Sequence, residues 1–187
     1  MIAGPNGAGK TTTAMSFISS EVIDEFLNAD EIARGLAPLH PESMSLTASK
    51  LMLKRLKELL DANKTFAFET TGAGTNYIKH LKEAQAEDYE VHLMFLWLPS
   101  PDLAVKRVAK RVEQGGHHIP EDTVRRRYYA GIKNLIIHYL PLVDRALILD
   151  NSVAGLTKII AKKHAKDDLK IEELIIWKEI QEVAYAK

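Results

Sequence analysis

Apolar residues fall into short blocks separated by longer stretches in which they recur every three or four positions. Phe66-Ala67-Phe68, Val91 to Leu98 and Ala146-Leu147-Ile148-Leu149 read as buried strands, with Phe26-Leu27 and Thr157 to Ala161 as weaker ones. Between them, Met52, Leu56, Leu59 and Leu60 keep helical spacing. So do Val105, Val108, Ala109 and Val112, then Val124, Tyr128, Leu135 and Tyr139, and finally Ile176, Ile180 and Val183. Pro120 followed by Glu121 and Asp122 predicts a helix start with proline at the first helical position, and Gly115-Gly116 a stop for the helix before it. Strands alternating with helices imply right-handed crossovers, so the expected fold is α/β, a doubly wound and mostly parallel sheet with helices on both faces.

At 187 residues the chain suits one domain, spanning 1–187 and closing with a strand and helix over 153–187. It contains no cysteine, which excludes disulfides, thiolate metal sites and cysteine nucleophiles and fits a reducing, cytoplasmic setting. Lys+Arg and Asp+Glu number 25 each, so overall charge draws the chain to neither nucleic acid nor an anionic membrane. Apolar runs such as Leu93 to Leu98 fall far short of the ~18 residues of a membrane span, and no basic-then-apolar leader opens the chain. Only Met1-Ile2-Ala3 precedes the first glycine motif. That is read either as a very short first strand or as a start inside a longer chain.

The chemistry begins at Gly4-Pro5-Asn6-Gly7-Ala8-Gly9-Lys10-Thr11, which fits G-x-x-x-x-G-K-[ST] at every fixed position, with Thr12 following. Such glycines let backbone N–H groups converge on phosphate oxygens, and a helix opening near Lys10 adds its dipole. Lys10 is then expected to reach the β- and γ-phosphates of a nucleoside triphosphate, and the Thr11 hydroxyl to hold Mg²⁺. Asn28-Ala29-Asp30 and Glu69-Thr70-Thr71-Gly72 end two apolar runs on the sheet's carboxyl edge, where this architecture binds ligands. Asp30 reads as a general base for an acceptor hydroxyl or as the N-cap of the helix carrying Ile32 and Leu36. Glu69 reads as an acceptor-orienting or Mg²⁺-linked group, or as a strand-end carboxylate in water.

From Asp102 to Lys133, eight Lys/Arg face four acids. Arg107 and Arg111 lie one turn apart, expected opposite the Val105 stripe, and a glycine-hinged connection (Gln114 to Pro120) leads to Arg125, Arg126 and Arg127. Two arginine-bearing helices joined in this way form a candidate lid over roughly 107–127, supplying charge to a transferring phosphoryl group. Arg126, opposite its helix's apolar stripe, reads as solvated, and Arg125 as the better candidate. His117 and His118 lack a third zinc ligand and read as lid or surface residues.

In combination, AGPNGAGKTT, FLNADEIARGL, FAFETT, LWLPSPDLAVKRVAKRVEQGGHHIPEDTVRRRY and LILDNS resemble the zeta-toxin family of P-loop kinases, from Ile2 to about Ser152. The resemblance implies ATP-dependent phosphorylation of the 3′-hydroxyl of the amino sugar in UDP-N-acetylglucosamine, with a separate antitoxin protein as a possible partner. It implies Lys10, Asp30, Arg111 and Arg125 as catalytic residues, the match around 125–127 being ambiguous by one or two positions. Gly4 to Thr12 and Arg107 would hold the nucleotide. Asn28, Asp30, Glu69, Thr70 and Thr71 would form the acceptor site, and Asp150-Asn151 would lie near the adenine. The alternatives are an ATPase or nucleotide-gated binding module with no small-molecule acceptor, and least of all a polynucleotide kinase, given the neutral charge and 7% aromatic content.

Overall fold

A computed structural model describes residues 1–18, 23–153, 155–165 and 168–186. Among the described residues the strands are β1 (Ile2–Ala3), β2 (Glu25–Asn28), β3 (Phe66–Thr70), β4 (His92–Trp97), β5 (Arg145–Val153), β6 (Leu156–Ala165) and β7 (Asp168–Ile171). The helices are α1 (Lys10–Ile18), α2 (Ala29–Leu36), α3 (Ser45–Asp61), α4 (Tyr77–Ala86), α5 (Pro101–Glu113) and α6 (Glu121–Asn134). A π-helical turn (Leu135–Tyr139) and short α7 (Leu140–Leu142) prolong α6, and α8 (Leu174–Tyr185) ends the described chain.

The strands form one sheet in the order β2-β3-β1-β4-β5-β6-β7, parallel from β2 to β5 and antiparallel beyond. From β1 the chain crosses toward one edge to β2, then returns through β3 to β4 on the other side of β1. Right-handed crossovers in opposite directions set their helices on opposite faces. The reversal opens a crevice above the carboxyl end of β1, the place where such sheets bind ligands. This is the mostly parallel, helix-covered sheet of P-loop NTPases.

The expected stripes explain most of the packing. Met52, Leu56, Leu59 and Leu60 of α3 are buried, as are Val124, Tyr128, Leu135 and Tyr139 along α6 and its π turn. They close on Phe95, Leu96 and Leu98 of the central strand region and on Ile148, Ile160 and Ile180. Each of these side chains removes its apolar surface from water, worth roughly 1.5–3 kcal/mol for a fully buried Leu, Ile or Phe. Among the described residues, no helix is long and apolar enough to cross a membrane.

Three expectations need correction. Past β5 the chain does not add one strand but a hairpin, β6 and β7, before α8. The β7 sequence Asp-Leu-Lys-Ile is an edge strand with little burial, so it carries no apolar block to announce it. On α5 the buried positions are Ala104 and Val108, while Ala109 is exposed. The helix is rotated because small Ala104 can seat its backbone against the first glycine loop. Pro120 caps α6 from outside, in extended conformation, and the helix begins at Glu121.

Candidate functional site

The first glycine motif spans the gap between β1 and α1, directly under the crevice. Gly4 sits at φ +144°, and a Cβ there would come within 2.3 Å of Leu96 O, so only glycine lets the loop leave β1 this close to β4. The loop turns back on itself through Ala8 N–H donating to Pro5 O, and α1 starts at Lys10 with its free N–H groups aimed into the crevice.

Sheet register brings the second component into place. Glu69, at the end of β3, lies beside Ile2 of β1, and Asn28 of β2 lies beside Glu69. The Glu69 carboxylate therefore gathers three groups, two from the start of α1 and one from the end of β2. Thr11 Oγ1 donates to its Oε2 at 2.7 Å, Asn28 Nδ2 donates to the same oxygen at 3.0 Å, and Lys10 Nζ stands 3.7 Å from Oε1. Lys10 also donates to Pro5 O at 3.0 Å. Its ammonium is buried, and burial pushes its pKa below the ordinary lysine value. Glu69 and then Asp30 pull it back up, and the like charges of Arg111 and Arg127 press it down again.

Those electrostatic neighbours define the site: Lys10, Arg111 and Arg127 as cations, Glu69 and Asp30 as anions. Burial also lowers the Arg127 pKa, countered by Asp30.

Asp30 is not the cap of its helix. Asn28 is: its Oδ1 accepts from Asp30 N at 2.9 Å and Glu31 N at 3.4 Å. One carboxamide thus caps α2 with its oxygen and holds Glu69 with its nitrogen, so Asn28 faces protein groups on both sides. Asn28 followed three residues later by Glu31 is a capping-box spacing, the sequence signal that identifies this cap. The Asp30 carboxylate is left exposed in the first turn, at the mouth of the crevice.

The arginines divide differently from the expectation. Arg107 and Arg111 lie on the buried side of α5 beside Ala104 and Val108, not opposite it, because that side packs on the glycine loop. The Arg107 guanidinium is consumed by backbone carbonyls, donating to Asn151 O at 2.9 Å, Ser152 O at 2.7 Å and Gly7 O at 3.4 Å. It ties α5, the glycine loop and the end of β5 together. Arg111 Nη2 donates to His117 O at 3.3 Å, while its Nε is buried with no hydrogen-bond partner.

Arg125 is not brought into the site. Its guanidinium pairs on the surface with Asp102 Oδ1 at 2.6 Å and Glu121 Oε1 at 2.7 Å, and Arg126 is exposed. Burial of Val124 and Tyr128 fixes the rotation of α6 and turns Arg127 toward Asp30 instead.

The remaining expected residues shape the surroundings. Thr70 Oγ1 and Thr71 Oγ1 accept from Gly72 N and Ala73 N, bracing the turn that follows Glu69. Asn6 is buried with its Oδ1 unpartnered, and Thr12 is exposed on α1. Asn151 Nδ2 donates to Ala8 O at 2.6 Å, seating the end of β5 against the glycine loop. Asp150, one strand further from β1 than β4, accepts from Ser152 N and stands apart from Thr11. His117 and His118 belong to no group of three or more His, Cys, Asp or Glu able to hold a metal among the described residues.

Known proteins share this layout. An uncharacterised protein of Haemophilus influenzae is 27% identical over 125 residues, 67% of this chain and 88% of that protein. The crystal structure of AvrRxo1-ORF1:-ORF2 with ATP superposes with a TM-score of 0.71 at 15% identity, over 99% of this chain and 64% of that one. The chain thus spans about two thirds of the AvrRxo1 chain's length. The PezAT chromosomal toxin-antitoxin system of Streptococcus pneumoniae superposes with a TM-score of 0.66 at 16% identity, over 100% of this chain and 77% of that one. Identities this low speak for the fold. The family model described as "AAA domain" matches residues 1–129, the part that carries the glycine loop, Asp30, Glu69, Arg111 and Arg127, and the chain belongs to that family.

Proposed function

We propose that this protein is an ATP-dependent kinase that transfers the γ-phosphoryl group to a hydroxyl of a nucleotide sugar, with the 3′-hydroxyl of the amino sugar in UDP-N-acetylglucosamine as the first candidate. The observation that carries this reading is the position of Asp30. It is a carboxylate released from capping, open to solvent and within electrostatic reach of Lys10 and Arg127 at a phosphate-binding loop.

A triphosphate fits the groups present. Three cations outnumber two carboxylates, the α1 N-terminus faces the crevice, and the buried Arg111 Nε lacks an acceptor that a phosphate oxygen would supply. The ATP carried by AvrRxo1-ORF1:-ORF2 supports the same choice of nucleotide. For Mg²⁺, the Thr11 hydroxyl and Glu69 carboxylate are adjacent oxygen donors of the hard kind this ion takes. Two protein oxygens suit an ion that keeps most of its shell as phosphate and water. When bound, Mg²⁺ neutralises charge developing on the β- and γ-phosphate oxygens.

The chain's own residues do the rest. Backbone N–H groups of the glycine loop and the start of α1, with the Lys10 ammonium, hold the phosphates in line. Arg111 and Arg127 approach from α5 and α6 and offset the charge that grows on the transferring group. Asp30 accepts the acceptor's hydroxyl proton as that oxygen bonds to the γ-phosphorus and the bond to the β–γ bridging oxygen breaks, releasing ADP. Arg125 plays no direct part and latches α6 to the start of α5. The glycine-hinged segment between α5 and α6 is the part of the lid that closes. A separate antitoxin protein is the proposed partner, in keeping with the toxin-antitoxin pairing of PezAT.

The test is incubation with ATP, Mg²⁺ and a panel of nucleotide sugars, read by mass spectrometry. One phosphorylated sugar supports the reading. ATP hydrolysis with no phosphorylated acceptor leaves an ATPase in its place.

A further inference from the structure

The turn that follows Glu69 is braced by Thr70 and Thr71 and gripped from outside by a helix. Four successive carbonyls, Thr71 to Gly74, face α6 and the π turn. Asn134 is buried, and its Nδ2 donates to Gly72 O at 3.0 Å and Ala73 O at 2.9 Å. The Tyr139 hydroxyl donates to Gly74 O. At residue 131 a Cβ would stand 2.8 Å from Thr71 O, so Gly131 lets the helix backbone lie directly against the turn.

The π turn is what makes this set possible. In an α-helix five residues rotate the chain by about 500°, leaving Tyr139 roughly 140° away from Asn134. Here Leu140 N–H donates to Leu135 O, five residues back, and the widened turn carries Tyr139 round to the side of Asn134. Arg127, Gly131 and Asn134 are spaced by four and three residues and share one helix face. A single rigid face therefore carries Arg127 at the phosphate centre and, two turns on, the groups that grip the turn behind Glu69.

We propose that Asn134 and Tyr139 are positioning residues that hold the Thr71–Gly74 turn in register with Arg127, setting the acceptor hydroxyl against Asp30. This rests on the kinase reading for its acceptor, whereas the grip on the turn is independent of it. Loss of the grip lets the acceptor side drift from the phosphate side, and a misplacement of about 1 Å costs on the order of 10²-fold in rate. ATP, held by the glycine-loop backbone and Lys10 and not by the Thr71–Gly74 turn, keeps its affinity.

Two variants test this, Tyr139→Phe, which deletes one hydroxyl and keeps the ring packed, and Asn134→Leu, which keeps volume and deletes both donated bonds. With UDP-N-acetylglucosamine as probe, both are expected to raise KM for the sugar or lower kcat, by about tenfold for Phe and up to about 10²-fold for Leu. KM for ATP should stay within about twofold. KM rising for sugar and ATP together, or neither the sugar KM nor kcat changing, overturns the proposal. Amide hydrogen exchange of Gly72 to Thr75 gives a readout free of any acceptor. Exchange at least about tenfold faster in both variants supports the grip even if the parent phosphorylates no sugar, which would sink the kinase reading alone. Unchanged exchange overturns the grip itself.

Discussion

Replacing Asp30 with asparagine isolates the base from everything else this residue could do. Because Asn28 supplies the cap, the exchange removes no hydrogen bond from the α2 terminus. The only helix effect is loss of a carboxylate from the first turn, roughly 0.3–1 kcal/mol. The charge balance around the triphosphate moves from three cations and two anions to three and one, so ATP should bind as tightly as before or more tightly. Losing a positioned general base costs about 10²–10⁴-fold in transfer. That range corresponds to about 2.7–5.4 kcal/mol of barrier at ~1.36 kcal/mol per tenfold. Calorimetry reads ATP affinity, and mass spectrometry reads phosphosugar formed per minute. An Asp30→Asn protein with the parent's ratio of transfer to binding would remove Asp30 from the chemistry. A large fall in thermal stability would instead show that the helix relies on this carboxylate in a way the Asn28 cap does not account for.

Two further outcomes follow from the same geometry. Arg127→Ala should lower kcat by about 10²–10³-fold, while Arg125→Ala, which breaks only surface pairs with Asp102 and Glu121, should stay within a fewfold of the parent in steady-state turnover. For Lys10, the pKa in the folded apo protein lies below the unfolded value, so the unfolded chain binds the extra proton. Apo stability should therefore rise with pH through the alkaline range below the ordinary lysine value and fall again as pH drops. ATP should reverse the shift, and titration calorimetry in buffers of different ionisation enthalpy should record proton uptake on binding at alkaline pH, absent in Lys10→Met.

The glycine loop could be read from sequence because its function is local. Eight consecutive residues carry the backbone turn, the lysine and the hydroxyl, although the close approach of Leu96 that requires glycine at position 4 comes only with sheet pairing. Much of the order of strands and helices, β7 excepted, is likewise present in the spacing of apolar residues, since burial on one face imposes that spacing wherever the element finally packs. Tertiary structure decided what meets across the chain. Glu69, Thr11 and Asn28 converge only because β2, β3 and β1 pair in that order and register. Which arginine enters the site turns on the rotation of α6, set by the burial of Val124 and Tyr128. A run of three identical residues gives no local signal to separate them. The rotation of α5 is not legible in sequence because Ala104 is small and Arg111 is charged, so neither registers as part of an apolar stripe. The π turn that brings Tyr139 beside Asn134 has no signature in the spacing of apolar residues. Short-range chemistry writes itself into contiguous residues, whereas relations across a sheet exist only once the sheet has formed.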